Sequence, residues 1–240
     1  MKKLLNVMNL DLEPYDSALE LQHRLAAARR DDRIEDTLVL LEHPPVITLG
    51  RRGDESNILV SHQWLADHGI QVRRVERGGD VTYHGPGQLV GYSIMDLRQH
   101  LQDAGWYMHS LEEVLIRTLA DFGIIAKRLP GSIGVWLDDS RKIAALGARI
   151  EDWITYHGFA LNVAPDLSDF GLIIPCGLEG KEVTSMERVL GLGVGMADVR
   201  ERVGHNFSTV FDMTVRRIAL GDLSPFVEVE SERELLSKTV

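Results

Sequence analysis

"IQVRRVERGGDVTYHGPGQLVGYSIMDL", residues 70–97, sets two strand patterns on either side of a loop. Within residues 77–87 that loop carries four glycines together with Arg77, Asp80, Tyr83 and His84. "IQVRRVE" enters as a strand and "QLVGYSIMDL" leaves as one, with no helical spacing between them. Gly78 and Gly79 let backbone approach a ligand closely, and Gly85-Pro86-Gly87 imposes a turn. Thr82, Tyr83 and His84 form a short extended piece whose side chains alternate in direction. His84 has two readings: it orients a substrate carbonyl or assists proton movement, or it ties the loop to backbone. Arg77 holds a phosphate-bearing arm or pairs with Asp80.

Outward from this loop, strands occur both between helices and in an unbroken run. Residues 3–9 read as a strand, and "PYDSALELQHRLAAARR" from Pro14 carries a helical apolar stripe. "TLVLLEHPPVITLG" reads as two short strands parted by Pro44-Pro45, and "SHQWLADHG" as a helix from Ser61 to Gly69. Residues 106–122 form a helix, and "GSIGVWL", "KIAALGARIEDW" and "ITYHGFALNV" a meander of strands. Residues 196–219 read as a final helix, and 221–240 as a charged tail. This mixture predicts an α+β fold, a single domain over 1–220 with a central mixed β-sheet packed by helices. The segment after about residue 190 reads as a small appendage on it.

The chain has 240 residues and a net charge of −10, which argues against nonspecific attraction to nucleic acid or an anionic membrane surface. No apolar run approaches the roughly 20 residues of a spanning helix. "MKKLLNVMNLDLE" meets acids early and reads as a first strand instead of a signal peptide. A single cysteine excludes an intramolecular disulfide and suits a reducing cytoplasm.

Several motifs fail. "GLGVG" at 191–195 lacks the strand before it and the acid after it that a dinucleotide site requires. "GLEGK" has Pro175 where a phosphate loop needs glycine. His84, His157 and Cys176 lack paired-ligand spacing, so no metal site is expected.

Chemistry concentrates on Cys176 and Lys142. In "GLIIPCGLEG", Pro175 and Gly177 place the cysteine at a strand end or tight turn, where the Gly177 N–H can face an oxyanion. A thiol is only a few per cent thiolate at neutral pH, so a catalytic one needs a base or cation beside it. Lys142, in "RKIAALG", heads an apolar strand on the face shared by Ala144 and Leu146, where it loses solvation. Each residue also has a bland reading, an inert buried cysteine and a solvated strand-start lysine.

Together these blocks resemble the octanoyltransferase family of lipoate biosynthesis, lipoyl(octanoyl) transferases of the biotin/lipoate protein ligase-like superfamily. "RGGDVTYHGPGQL" matches that family's signature. "EHPPVITLGRRG", "GSIGVW", "RKIAALGARI", "YHGFALNV" and "IPCGLEGKEVTSM" follow its other blocks in order, over about residues 36–190. The resemblance implies a biotin/lipoate protein ligase-like fold, with Cys176 carrying the acyl group as a thioester and Lys142 lowering the thiol pKa or serving as base. It implies an acyl channel lined by Arg77, Gly78, Gly79, Asp80, Val81, Thr82, Tyr83 and His84, by Ala145, Leu146 and Gly147, and by Gly158, Phe159 and Ala160. The donor it implies is octanoyl-loaded acyl carrier protein, with the acyl group on a phosphopantetheine arm and no resident cofactor. The acceptors are lipoyl domains of 2-oxoacid dehydrogenase complexes and the glycine cleavage H protein. An acidic carrier calls for a local basic surface, for which Arg51, Arg52, Arg73, Arg74, Lys127, Arg128 and Arg141 are candidates. An ATP-using ligase of the same fold is the rival enzyme, and an acyl-binding scaffold the rival non-enzyme.

Overall fold

The computed structural model describes residues 2–174 and 180–227. The run "DTLVLLE" explains the architecture. Strand β2 (Asp36–Glu42) buries every residue but its last, because both of its faces are covered. Leu38 and Leu40 point into one core with helices α3 (Ala104–Asp121), α4 (Met186–Leu190) and α5 (Met196–Val210). Val39 and Leu41 point into another with helix α1 (Tyr15–Arg30). The result is a sheet between two helical layers.

The sheet is mixed and nine-stranded among the described residues. Its path runs β12 (Met213–Ile218), β1 (Lys3–Leu12), β2, β6 (Gln88–Ile94), β10 (Ile154–Asn162), β9 (Arg141–Glu151), β8 (Ser132–Trp136) and β7 (Lys127–Leu129), and β11 (Glu182–Val183) pairs with β9 off that path. β1 lies parallel to both of its neighbours, whereas β2, β6, β10, β9 and β8 pair antiparallel in sequence along the path. A second, three-stranded sheet joins β3 (Val46–Leu49), β4 (Gln71–Arg74) and β5 (Val81–His84). Helix α2 (His62–Asp67), capped by the Ser61 side chain, covers it with Leu65.

The expected α+β class, the two strands parted by prolines and the meander β8–β9–β10 all appear. Two readings of the C-terminal part need correction. Residues 196–219 are not one helix: α5 ends at Val210, Asp212 turns through φ +54, and β12 then pairs with β1 as an edge strand. The stretch assigned to a charged tail begins inside helix α6 (Leu220–Val227), whose Leu223 is buried against the α1 core. These elements complete the sheet and one helical layer.

Candidate functional site

A cavity of about 890 Å³ opens where the loop Arg77–Gly79 leans on β9 and β10. Ala104 and Met108 of α3, Gly131 and the start of β8 (Ser132 and Ile133) complete its wall. The loop is held from several sides. Gly78 N–H donates to Ala148 O on β9 at 3.1 Å, while Arg51 and Arg52 donate backbone N–H to Arg77 O and Gly79 O. Arg77 is buried, and its guanidinium donates to Thr48 Oγ1 at 2.8 and 3.1 Å and to Thr48 O at 2.8 Å. Asp80 accepts from Asp54 N and Asn57 Nδ2. Arg77 thus stiffens the loop from within, and Asp80 fastens it to the segment after β3.

Strand alternation splits the signature motif. Thr82 and His84 face the cavity, whereas Val81 and Tyr83 point into the core of the small sheet. The Tyr83 hydroxyl donates to the Asp169 carboxylate; burial first, then that carboxylate, pushes its pKa up. Asp80, Val81 and Tyr83, expected on the channel wall, are therefore corrected to residues that support the wall from behind. Arg77, Gly78, Gly79, Thr82 and His84 line the cavity.

The other two expected blocks face each other across one ladder. Ala145 pairs with Ala160, Leu146 with Phe159 and Gly147 with Gly158, and all six line the cavity. Gly158 has φ +157, and a Cβ there would lie 2.3 Å from Gly91 O, so only glycine fits. Lys142 also lines the cavity, 9% exposed, with its Nζ 5.2 Å from the centroid of the Trp136 ring. Cys176 and Gly177 lie outside the described residues. After them the chain runs beside the lysine: Val183 pairs with Lys142, and Thr184 N donates to Lys142 O at 2.9 Å.

A chain of side chains connects His84 to this point. His84 Nδ1 bonds Gln88 Oε1 at 2.7 Å, Gln88 Nε2 donates to Asn162 Oδ1 at 2.9 Å, and Asn162 Nδ2 donates to Thr184 O at 3.0 Å. With the Gln88 oxygen as acceptor, His84 carries its proton on Nδ1. Burial first, then repulsion from His43, pushes the His84 pKa down to about 3. Burial likewise brings His157 to about 3 and His43 to about 4. Three neutral imidazoles thus sit together, tied to Tyr92 by the 2.6 Å contact of His43 Nε2 with the Tyr92 hydroxyl. Burial raises the phenols of Tyr15 and Tyr92.

Tyr15, Glu76, Val90, Tyr92, Met108 and His157 also line the cavity, beyond the residues the sequence predicts for a channel. Tyr92 and Val90 carried a signal in the strand pattern leaving the motif. Tyr15 and Met108 come from helices far away in sequence, and nothing local marks them. His157, weighed only as a metal ligand, is 1% exposed and sits at φ +57. Among the described residues, no group of three or more His, Cys, Asp and Glu side chains gathers as a metal site.

The basic candidates separate by their partners. Arg73 pairs with Asp16, Arg74 with Glu55, Lys127 with Asp139, Arg128 with Glu112 and Glu113, and Arg141 with Asp138. Arg51 and Arg52 are exposed on the cavity rim, and among the described residues no salt bridge joins either to a carboxylate.

A mixed sheet between two helical layers, with a cavity against its central strands, a buried lysine and a glycine-rich wall, defines a class that is also found by comparison. Residues 14–208 match the model of the lipoyl protein ligase A/B catalytic domain, and the chain belongs to that family. Curated relatives that it matches at 45–52% identity are octanoyltransferases. The one from Solibacter usitatus is 52% identical over 198 residues, covering 82% of this chain and 89% of the relative. The one from Caldicellulosiruptor saccharolyticus is 47% identical over 230 residues, covering 95% and 97%. Among solved structures, a bipartite lipoate protein ligase from Thermoplasma acidophilum superposes with TM-score 0.71 at 16% identity, covering 99% of this chain and 91% of that one. A lipoate-protein ligase A bound with ATP gives 0.72 at 14% identity, covering 96% and 98%. At such identities these two likenesses speak for the fold alone.

Proposed function

We propose that this octanoyltransferase works by a covalent relay: it takes an octanoyl group from acyl carrier protein onto Cys176 and passes it to a lysine of a lipoyl domain. In the first half, the Cys176 thiolate attacks the carrier thioester, and the pantetheine thiol leaves with a proton. One thioester replaces another, so this step is nearly balanced. In the second half, the acceptor amine attacks the acyl-Cys176 thioester, the carbon–sulfur bond breaks as the amide forms, the thiolate leaves, and Lys142 takes the proton the amine gives up. Amide formation is downhill, so no ATP is spent, and the covalent intermediate divides one hard step into two easier ones. Lys142 holds the thiolate by its charge or, as the amine, takes the proton. No resident cofactor takes part; the acyl group arrives on the carrier's phosphopantetheine arm.

The observation that carries this reading is the position of Lys142. It is buried on the cavity wall, and its strand pairs directly with the segment that follows Cys176 in sequence. The acyl chain then runs from its carbonyl end at Cys176, beside Lys142, along Leu146, Phe159 and Ala160 toward the neutral His84 and His157. We assign the acceptors to lipoyl domains of 2-oxoacid dehydrogenase complexes and the glycine cleavage H protein, and the setting to the cytoplasm. No helix among the described residues is long and apolar enough to cross a membrane. Arg51 and Arg52 on the rim, which no salt bridge joins to a carboxylate among the described residues, suit an acidic carrier. The test is transfer itself: octanoyl carrier, a lipoyl domain and the enzyme, without ATP. Octanoylated lipoyl domain is expected; product only on adding ATP and free octanoate would sink the relay and favour a ligase.

A further inference from the structure

Lys142 occupies a place that its neighbours are shaped to provide. A Cβ built on Gly134 would lie 2.4 Å from Lys142 Cε and 3.1 Å from its Nζ, and also 2.9 Å from Ala144 O. No real Cβ tolerates such approaches, so the lysine side chain fills the space that any other residue at 134 would take. Gly134 also has φ +135, a conformation that side-chain-bearing residues rarely adopt. Its N–H donates to Glu112 Oε1 at 3.0 Å, across from α3 to β8.

Glu112 is an unusual residue to find there. It is 4% exposed on the sheet-facing side of α3, and a carboxylate so placed must be compensated. Its second oxygen lies 3.2 Å from Arg128 Nε and 3.0 Å from His109 Nδ1. Its second oxygen pairs with Arg128 while its first oxygen fixes the backbone of Gly134.

Trp136 forms the floor. It is fully buried, and its indole N–H donates to Ser132 O at 3.3 Å, which sets the ring's orientation. Lys142 Nζ lies over the ring at 5.2 Å, and Lys181 Nζ lies 5.9 Å from the same centroid. An indole face attracts an ammonium without donating or accepting a hydrogen bond. It restrains the lysine head while leaving the head's hydrogens for other partners.

We infer that Gly134, Trp136 and Glu112 form a seat that positions Lys142 for its work on the cysteine. They are positioning residues, acting through the lysine, and the inference rests on the reading of Lys142 given under the proposed function. It also explains why the "GSIGVW" block carries glycine and tryptophan two residues apart. On strand β8 that spacing puts the gap and the floor on one side of the lysine.

The single cysteine makes a direct readout available, because alkylation of the intact chain by iodoacetamide reports on Cys176 alone. Alkylation and octanoyl-transfer rates are measured for Trp136→Phe, Gly134→Ala, Glu112→Ala, Glu112→Gln and Lys142→Ala, with thermal melting as the check on folding. Trp136→Phe is expected to slow both rates about fivefold while leaving KM for the octanoyl carrier alone. Gly134→Ala is expected to lower kcat about a hundredfold, because it displaces the lysine head. Glu112→Gln, which keeps an oxygen for the Gly134 N–H, is expected to fall less than Glu112→Ala. The decisive arm is the double variant: in a Lys142→Ala background, Trp136→Phe is expected to add nothing to the loss in alkylation. Additive losses, or folded Trp136→Phe and Glu112→Ala with the parent's rates, would overturn the seat. Parent rates in Lys142→Ala would sink the reading of the lysine itself, and the seat with it. If Gly134→Ala does not fold, the Trp136 and Glu112 variants decide.

Discussion

At one end of the cavity Lys142 lies over Trp136; at the other, His84, His157 and His43 cluster with Tyr15 and Tyr92. The two ends are joined by β9, on which six residues, roughly 20 Å of strand, separate Lys142 from Ala148, the partner of His157. Both ends are buried, yet they are built from different surroundings. The imidazoles lose their charge, with pKa values driven to about 3 and 4. The lysine end is furnished with an aromatic face and a glycine gap that fit a long cationic side chain. A neutral end can hold an acyl chain or an amide without competing for protons, whereas the lysine end can stabilise a thiolate. Titratable residues are numerous at both ends, and only the local surroundings tell which of them does chemistry.

Breaking the lysine end should have the largest effect. Lys142→Ala is expected to lower kcat for octanoyl transfer about a thousandfold, with the melting temperature little changed. A fall of less than tenfold in steady-state assays would remove Lys142 from the chemical step.

Between the ends, the ladder itself is sensitive. Gly158→Ala forces a Cβ against Gly91 O and a strained φ, and is expected to cost about 3 kcal/mol of stability. Denaturant unfolding measures this, and a variant within 0.5 kcal/mol (roughly the scatter of an ordinary surface substitution) would show that the β6–β10 pairing relaxes easily.

The imidazole end predicts an acid-labile fold. The unfolded chain takes up protons near pH 6.5 on His43, His84 and His157, while the folded chain refuses them until about pH 3 to 4. Stability is therefore complete above pH 6.5 and falls as pH drops through that window. Each imidazole contributes about 1.4 kcal/mol per pH unit. Unfolding free energies between pH 7 and 5 check the slope, and His43→Gln should reduce it by one imidazole's share. An unchanged slope would mean that His43 protonates in the folded protein. Over the same range, the transfer rate should show no inflection from His84.

The smallest effect belongs to the rim. Arg51→Ser with Arg52→Ser is expected to raise KM for octanoyl carrier about fivefold, and less at high salt, without changing cysteine alkylation. A changed alkylation rate would place these arginines nearer the chemistry than the rim.

Much of the fold was legible because local patterns agreed with it. The proline pair, the glycine turns and the continuous apolar strand of β2 each had one sensible reading. Edge strand β12 did not, since "MTVRRI" continues the stripe of α5 and its partner β1 lies some 210 residues earlier. The motif 77–84 was legible as a wall but not in detail, because a contiguous block hides the alternation that turns Val81 and Tyr83 away. The cation–aromatic contact of Lys142 with Trp136 was beyond the sequence reading, although both residues stood in named blocks, because it depends on strand register. The expected pairing of Cys176 with Lys142 rests on the family resemblance, since spacing permits it without requiring it and Cys176 lies outside the described residues.

The central claim is that Cys176 carries the acyl group, and intact mass tests it most directly. The enzyme is mixed with octanoyl-loaded carrier, without ATP or acceptor, and measured under non-reducing conditions. The account predicts a gain of one octanoyl group that Cys176→Ser abolishes and that a lipoyl domain discharges. An unmodified enzyme that still octanoylates the lipoyl domain, or an adduct that survives Cys176→Ser, would contradict it.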